Sequence, residues 1–236
     1  YTLLSATLPL VVNPSLFAKL PFNVERDFAP VSLVVSAPYV LVTHPSVPAK
    51  SVRELIAMAK ARPDKLTYAS GGNGTNLHIA AELFRNRTGI TMVHVAYKGG
   101  GPSLASVVAG ETDLSFPSLA AVVPQVNAGR LRALAITSAQ RSRLLSALPT
   151  IAEAGVPGYV FTSWVGVLAP STTPTSIVAA LNGHIVKAMH SPALSERLAA
   201  DGTDIVAGSP EQFGALIKTE IARWAQVVRQ SGMKPE

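Results

Sequence analysis

Leu66-Thr67-Tyr68-Ala69-Ser70 reads as a strand, Gly71-Gly72-Asn73-Gly74 as a tight turn, and Thr75-Asn76-Leu77-His78 as the start of a helix whose Leu77, Ala80, Ala81 and Phe84 share one face. A strand feeding a helix through so short a turn is the unit of α/β layers. The unit recurs. Met92–Tyr97 leads through Lys98-Gly99-Gly100-Gly101 into a helix from Pro102 to Ala109, and Asp113–Phe116 meets a helix near Pro117-Ser118. Successive strands delivering helix starts to one edge is where open α/β sheets bind ligands.

The remaining elements follow from capping chemistry and periodicity. Ser51-Val52-Arg53-Glu54 is a capping box, in which hydroxyl and carboxylate each satisfy an orphan amide. Val52, Leu55, Ile56 and Ala59 then share a face, and Pro63 marks the end. Ser209-Pro210-Glu211-Gln212 repeats the device ahead of a stripe of Phe213, Leu216, Ile217, Ile221, Trp224 and Val228, which Gly232 stops. Pro174 opens another helix. Strands are expected over Pro38–His44, Leu131–Ser138, Ser163–Ala169 and Thr203–Val206, and Tyr1-Thr2-Leu3-Leu4 reads as a strand already under way. No internal repeat or low-complexity linker occurs, so any two domains are joined by strands or tight crossings.

Composition narrows the function. The 236 residues are 48% apolar and 14% charged, too hydrophobic for disorder, yet no run approaches the ~20 apolar residues of a membrane-spanning helix. The net charge of +6 comes from singly scattered basic residues, which excludes a nucleic-acid footprint and leaves a bias toward small anions. The absence of cysteine removes disulfides, thiolate metal sites and cysteine nucleophiles. The histidines at 44, 78, 94, 184 and 190 lack metal spacing and read as structural or exposed, so neither a metal nor a cofactor is expected. There is no GxSxG elbow and no SxxK. Asp27, Asp113 and Glu153 sit beside turns, where capping is the usual job. No catalytic residue is assigned, and the chain reads as a binder, not an enzyme.

The turn at 70–76 suits an anion physically. Glycine lets backbone approach a ligand closely, and the first amides of a helix lack internal partners. A carboxylate there gains ~0.3–1 kcal/mol from the helix dipole, or up to ~2 if partly buried. Asn73, Thr75 and Asn76 add side-chain donors. The other reading is a tight turn with Thr75 as a plain N-cap, and Lys98 is either a point charge for a ligand or a solvated loop residue. Leu77 stands where a dinucleotide fingerprint needs its third glycine, and no Lys-Ser/Thr completes a phosphate loop. Asn73-Gly74-Thr75 and Asn86-Arg87-Thr88 match the glycosylation pattern, which is common by chance.

Several strings, taken together, resemble one family. They are Asn13-Pro14-Ser15-Leu16, Asp27-Phe28-Ala29-Pro30-Val31, Ser70 through His78, Tyr97-Lys98-Gly99-Gly100, Ala128 through Ala135, Leu148 through Gly155, and Trp164 through Pro170. In this order they resemble the Bug (TctC-like) solute-binding receptors of tripartite tricarboxylate transporters, across essentially the whole sequence.

The resemblance implies a type II periplasmic binding fold, two α/β lobes joined by two crossing strands near 40–44 and 135–138. Lobe 2 would be 46–134, and lobe 1 would be 1–45 with 135–236. Family members open with a further strand and proline- and glycine-rich loop, so the first βα unit is missing from this sequence. The implied ligand is a small organic carboxylate held by loop amides and hydroxyls. Ser70, Gly72, Asn73, Gly74, Thr75 and Asn76 match the carboxylate-holding loop, with Tyr97, Gly99, Gly100 and Ser118 beside it. Thr7 and Trp164 match cleft-facing positions of the other lobe. With Lys98 as the only nearby cation, a mono- or dicarboxylate suits the loops better than a citrate-like ligand. The implied setting is a periplasmic monomer that hands its ligand to a membrane permease and contacts no nucleic acid. The alternatives are a sensing domain that feeds a signalling partner, an enzyme on the same architecture, and a truncated receptor that has lost binding.

Overall fold

Leu8-Pro9 turns the first strand, β1 (Leu4–Thr7), into α1 (Pro9–Leu16). This computed structural model describes residues 2–17 and 19–231, so the expectations placed on Tyr1 and Gly232 lie outside the described residues. Next comes α2 (Val24–Asp27), where Asn23 Oδ1 accepts the Glu25 and Arg26 amides at 3.0 Å. It feeds β2 (Phe28–Pro38), a strand that sequence reading does not mark. Pro30 and Pro38 disguise it, since proline lacks a ladder donor and is tolerated only toward strand ends and edges.

From there the chain builds β3 (Val40–Thr43), α3 (Val52–Ala61), β4 (Thr67–Ser70), α4 (Asn76–Thr88) and β5 (Val93–Ala96). It continues through α5 (Gly100–Ala109), β6 (Leu114–Ser115), α6 (Leu119–Asn127) and β7 (Arg132–Ile136). These strands form one sheet in the order β5-β4-β6-β3-β7. β4 runs parallel to β5 and β6, as the alternation of strands and helices requires, whereas β3 is antiparallel to both β6 and β7. Val40, Val42, Ala69, Val107, Leu119, Val122, Leu131 and Ile136 form a buried cluster in this sheet and its helices. Each such aliphatic side chain stabilises the fold by ~1.5–3 kcal/mol. Phe84 packs against Phe116 and Tyr159, with ring centroids 5.7 and 6.1 Å away.

The last third adds β8 (Thr162–Pro170), α7 (Thr175–Met189), α8 (Pro192–Ala200), β9 (Asp204–Ile205) and α9 (Pro210–Ser231). Here the sheet order is β1-β8-β2-β9. The expected stripe of α9 is buried at Phe213, Ile217, Trp224 and Val228, and Trp224 Nε1 donates to Glu220 Oε2 at 2.7 Å. Both predicted caps form. Ser209 Oγ accepts the Gln212 amide while Gln212 Oε1 accepts the Ser209 amide. Ser51 Oγ accepts the Glu54 amide, but Glu54 Oε2 reaches one residue further back than a capping box, to the Lys50 amide at 2.7 Å.

The chain divides into unit one, Tyr1–Ala37 with Ser163–Pro235, and unit two, Pro38–Thr162. The segments 40–44 and 135–138 belong to unit two, where β3 and β7 pair with each other, Val40 opposite Ile136 and Thr43 opposite Arg132.

Candidate functional site

Because β4 is parallel to both of its neighbours, the carboxyl ends of β4, β5 and β6 emerge at one edge of the unit-two sheet. The turns that follow open α4, α5 and α6, whose N-caps are Thr75, Gly99 and Ser118. None of the three helices has a side-chain cap, in contrast to α3 and α9. The amides of Asn73 and Leu77 have no hydrogen-bond partner among the described residues. Thr75 is not a plain N-cap. Its Oγ1 turns back and donates to the Gly72 carbonyl at 2.6 Å, away from the helix amides.

The first two turns are fastened to each other by backbone. The Tyr97 amide donates to the Ser70 carbonyl at 2.9 Å, and the Gly99 amide donates to the Gly71 carbonyl at 3.2 Å. Glycine at 71 suits this approach, because a Cβ there would lie 3.1 Å from the Gly99 carbonyl carbon and the facing backbone would have to give way. Gly72, at φ +110°, makes the bend that lets the Ser70 hydroxyl accept the Gly72 amide at 3.0 Å.

Several residues that sequence reading left out complete the turn. Asn76 Nδ2 donates to the Tyr39 hydroxyl at 3.1 Å. Tyr39 also bridges Ser118 in the sheet, so it ties the first turn to the third. His78 Nδ1 accepts the Gly74 amide at 3.3 Å. His94, on β5, stands with Nε2 2.6 Å from the Ser70 hydroxyl. Tyr68, His94 and His78 stack in sequence, with centroids 4.7 Å apart at each step. Beneath them the Tyr68 hydroxyl donates to Glu82 Oε1 at 2.7 Å, and Arg85 Nη1 donates to the same oxygen at 2.6 Å. Burial, with the Glu82 charge added, pushes the Tyr68 phenol far above its ordinary range. The spacing of Tyr68, His78, Glu82 and His94 carries no motif. The one available clue is parity: Tyr68 and Ser70 share a face of β4, and register then sets His94 opposite Tyr68.

Ser70, Gly72, Gly74, Thr75, Asn76, Tyr97 and Gly99 are thus brought together by hydrogen bonds and backbone contact, Asn73 lies in the same turn, Gly100 opens α5, and Ser118 joins through Tyr39. Lys98 is exposed. Thr7 and Trp164 belong to unit one, where Thr7 pairs with Val165 and stands beside Trp164 at the end of β1. The Trp164 ring is buried edge-on against Phe213 at 5.4 Å, and its Nε1 has no hydrogen-bond partner among the described residues.

The carboxylates beside turns are occupied. Asp27 accepts the Asn23 amide and the Arg26 guanidinium. Asp113 Oδ2 accepts the Thr67 amide and hydroxyl at 2.7 and 2.9 Å. Glu153 Oε2 accepts the Thr150 amide and Arg141 Nε at 2.8 and 2.9 Å. No group of three or more histidines and carboxylates able to hold a metal exists among the described residues. What the site offers is backbone amides, held in place by side chains that spend their own hydrogens on the turn, as Thr75 Oγ1 does on the Gly72 carbonyl and Asn76 Nδ2 on Tyr39.

Known proteins are similar to this chain in sequence and fold. The sequence model described as "Tripartite tricarboxylate transporter family receptor" matches residues 1–233. The chain is 41% identical to Protein BugT of Bordetella pertussis, over 99% of this chain and 72% of BugT. It superimposes on R. palustris Rpa4515 with adipate at a TM-score of 0.92 and 37% identity, covering 100% of this chain and 79% of that one. MatC from Rhodopseudomonas palustris with bound malate follows at 0.89 and 29% identity, covering 96% and 79%.

Proposed function

Because the chain belongs to the tripartite tricarboxylate transporter receptor family, we propose that it is a periplasmic receptor for a small dicarboxylic acid, which it passes to a membrane permease. One carboxylate sits on the turn 70–76. The observation that carries this reading is the pair of glycine turns fastened back to back, with the helix starts of α4 and α5 uncapped by side chains. Such amides favour a negative group through the helix dipole and ask for no titratable partner.

Ser70, Gly72, Asn73, Gly74, Thr75 and Asn76 form the seat, with Tyr97, Gly99, Gly100 and Ser118 beside it. In unit one the reading assigns Thr7 and Trp164 as solute contacts. A dicarboxylate fits because neither turn carries an arginine, and Lys98 is the single cation between residues 70 and 103 outside α4. The adipate and malate found in similar structures support that class. The chemistry is capture without turnover, since Asp27, Asp113 and Glu153 are each committed to an amide.

Calorimetric titration with adipate, malate and citrate tests the reading. At least one dicarboxylate is expected to bind in preference to citrate, and Thr75→Val and Asn76→Ala are each expected to weaken it roughly threefold to tenfold. Binding of none of the acids, or binding indifferent to Ser70→Ala, Thr75→Val and Asn76→Ala alike, overturns it.

A further inference from the structure

The Ser70 hydroxyl has one hydrogen and two candidate acceptors, the Gly72 carbonyl at 3.3 Å and His94 Nε2 at 2.6 Å. The Gly72 carbonyl already receives Thr75 Oγ1 at 2.6 Å and the Thr75 amide at 3.3 Å. A carbonyl has two lone pairs, so it is satisfied without Ser70. That leaves His94 Nε2, the shorter contact, as the acceptor open to the Ser70 hydrogen. With Nε2 as that acceptor, the ring proton belongs on Nδ1. The Ser70 oxygen keeps its lone pairs for the Gly72 amide at 3.0 Å, the contact that holds the bend at φ +110°.

We propose that His94 is a positioning residue of the acid seat: from the neighbouring strand it orients the Ser70 hydroxyl, and through it the Gly72 amide. The inference rests on the functional reading above and adds a residue that touches no ligand. The ring is itself fixed from both faces. Tyr68 stacks on one side, 13° from parallel, and His78 tilts against it at 33°. Titratable groups packed against it include Tyr68 from β4, which is bonded to Glu82, and His78 from α4. The Gly74 amide holds His78 Nδ1 as an acceptor. Stacking and hydrogen bonding are separable jobs of one side chain, and substitution can divide them.

His94→Phe keeps a ring in the stack and removes the acceptor. It is expected to leave the thermal midpoint near that of the native protein and to weaken adipate or malate binding roughly tenfold. His94→Gln offers an amide oxygen to Ser70 and removes the stack, so it is expected to lower the midpoint yet keep affinity within about threefold of native. Native affinity in His94→Phe, or losses in both variants that track the midpoint, overturns the inference. A second readout needs no ligand. Ring ¹⁵N shifts of the native protein near pH 8 are expected to show His94 Nε2 as a hydrogen-bonded acceptor, altered by Ser70→Ala. A protonated Nε2 there, or one blind to Ser70→Ala, overturns the inference even if the acid binds, whereas the expected shifts with no acid bound would fault only the functional reading.

Discussion

The Phe213 ring lies on Gly166 so closely that a Cβ at that glycine would stand 2.2 Å from Phe213 Cζ. Helix α9 settles on β8 through this bare patch of backbone, with Trp164 edge-on to the same ring. Phe213 is fully buried, so the ring has no open space into which to retreat. Gly166→Ala is expected to destabilise the protein by about 1–3 kcal/mol in urea denaturation. Combining it with Phe213→Leu should cost less than the two single losses added together, the signature of a shared clash.

A second prediction concerns the paired turns. Gly72→Ala forces a side chain into a backbone at φ +110°, whereas Gly101, in the first turn of α5, faces open space with ordinary φ. Gly72→Ala is expected to weaken dicarboxylate binding by about tenfold or more through strain of ~1–3 kcal/mol. Gly101→Ala should bind as the native protein does, and calorimetry of the two variants side by side checks the contrast.

Beneath the seat, Tyr68 and Glu82 are both buried and share a hydrogen bond of 2.7 Å. Tyr68→Phe leaves Glu82 with Arg85 alone and is expected to cost about 1.5–3 kcal/mol, the range for a hydrogen bond to a charged group. Chemical denaturation measures it. The Phe ring keeps the stack on His94, so dicarboxylate affinity by calorimetry should change by less than about twofold.

A fourth prediction concerns acid. The Arg26 guanidinium, followed by the Asn23 amide, holds the half-buried Asp27 carboxyl down at about 2, from an ordinary 3.8. A carboxyl with a lowered folded pKa stabilises the fold above its unfolded value and loses that contribution as pH falls through the folded one. The difference in thermal midpoint between native protein and Asp27→Asn should therefore be level above about pH 5 and shrink as pH falls from about 4 toward 2. An NMR titration of the carboxyl should give a midpoint near 2, moved toward 3.8 by Arg26→Ala.

Much of this molecule is written locally. Ser51 and Ser209 announce α3 and α9, glycines at 71, 72 and 74 announce the tight turn ahead of α4, and the apolar faces of α4 and α9 are buried as their periodicity demands. Where local rules conflict, reading fails. Pro30 and Pro38 hide β2, and α8 carries no fully buried residue to give it a face. Asp27, Asp113 and Glu153 are legible as acceptors beside turns because the neighbouring amide lies close in sequence or in an adjacent strand.

The chain alone therefore determines which segments bend, cap and start helices, because those rules act within about four residues through backbone sterics and orphan amides. Tertiary structure alone decided that β3 and β7 pair inside unit two, that Tyr39 meets Asn76, and that His94 stands under Ser70. Those partners lie 37 and 24 residues apart. Only the register of a folded sheet can choose them, since each side chain could satisfy itself with water until the strands come together.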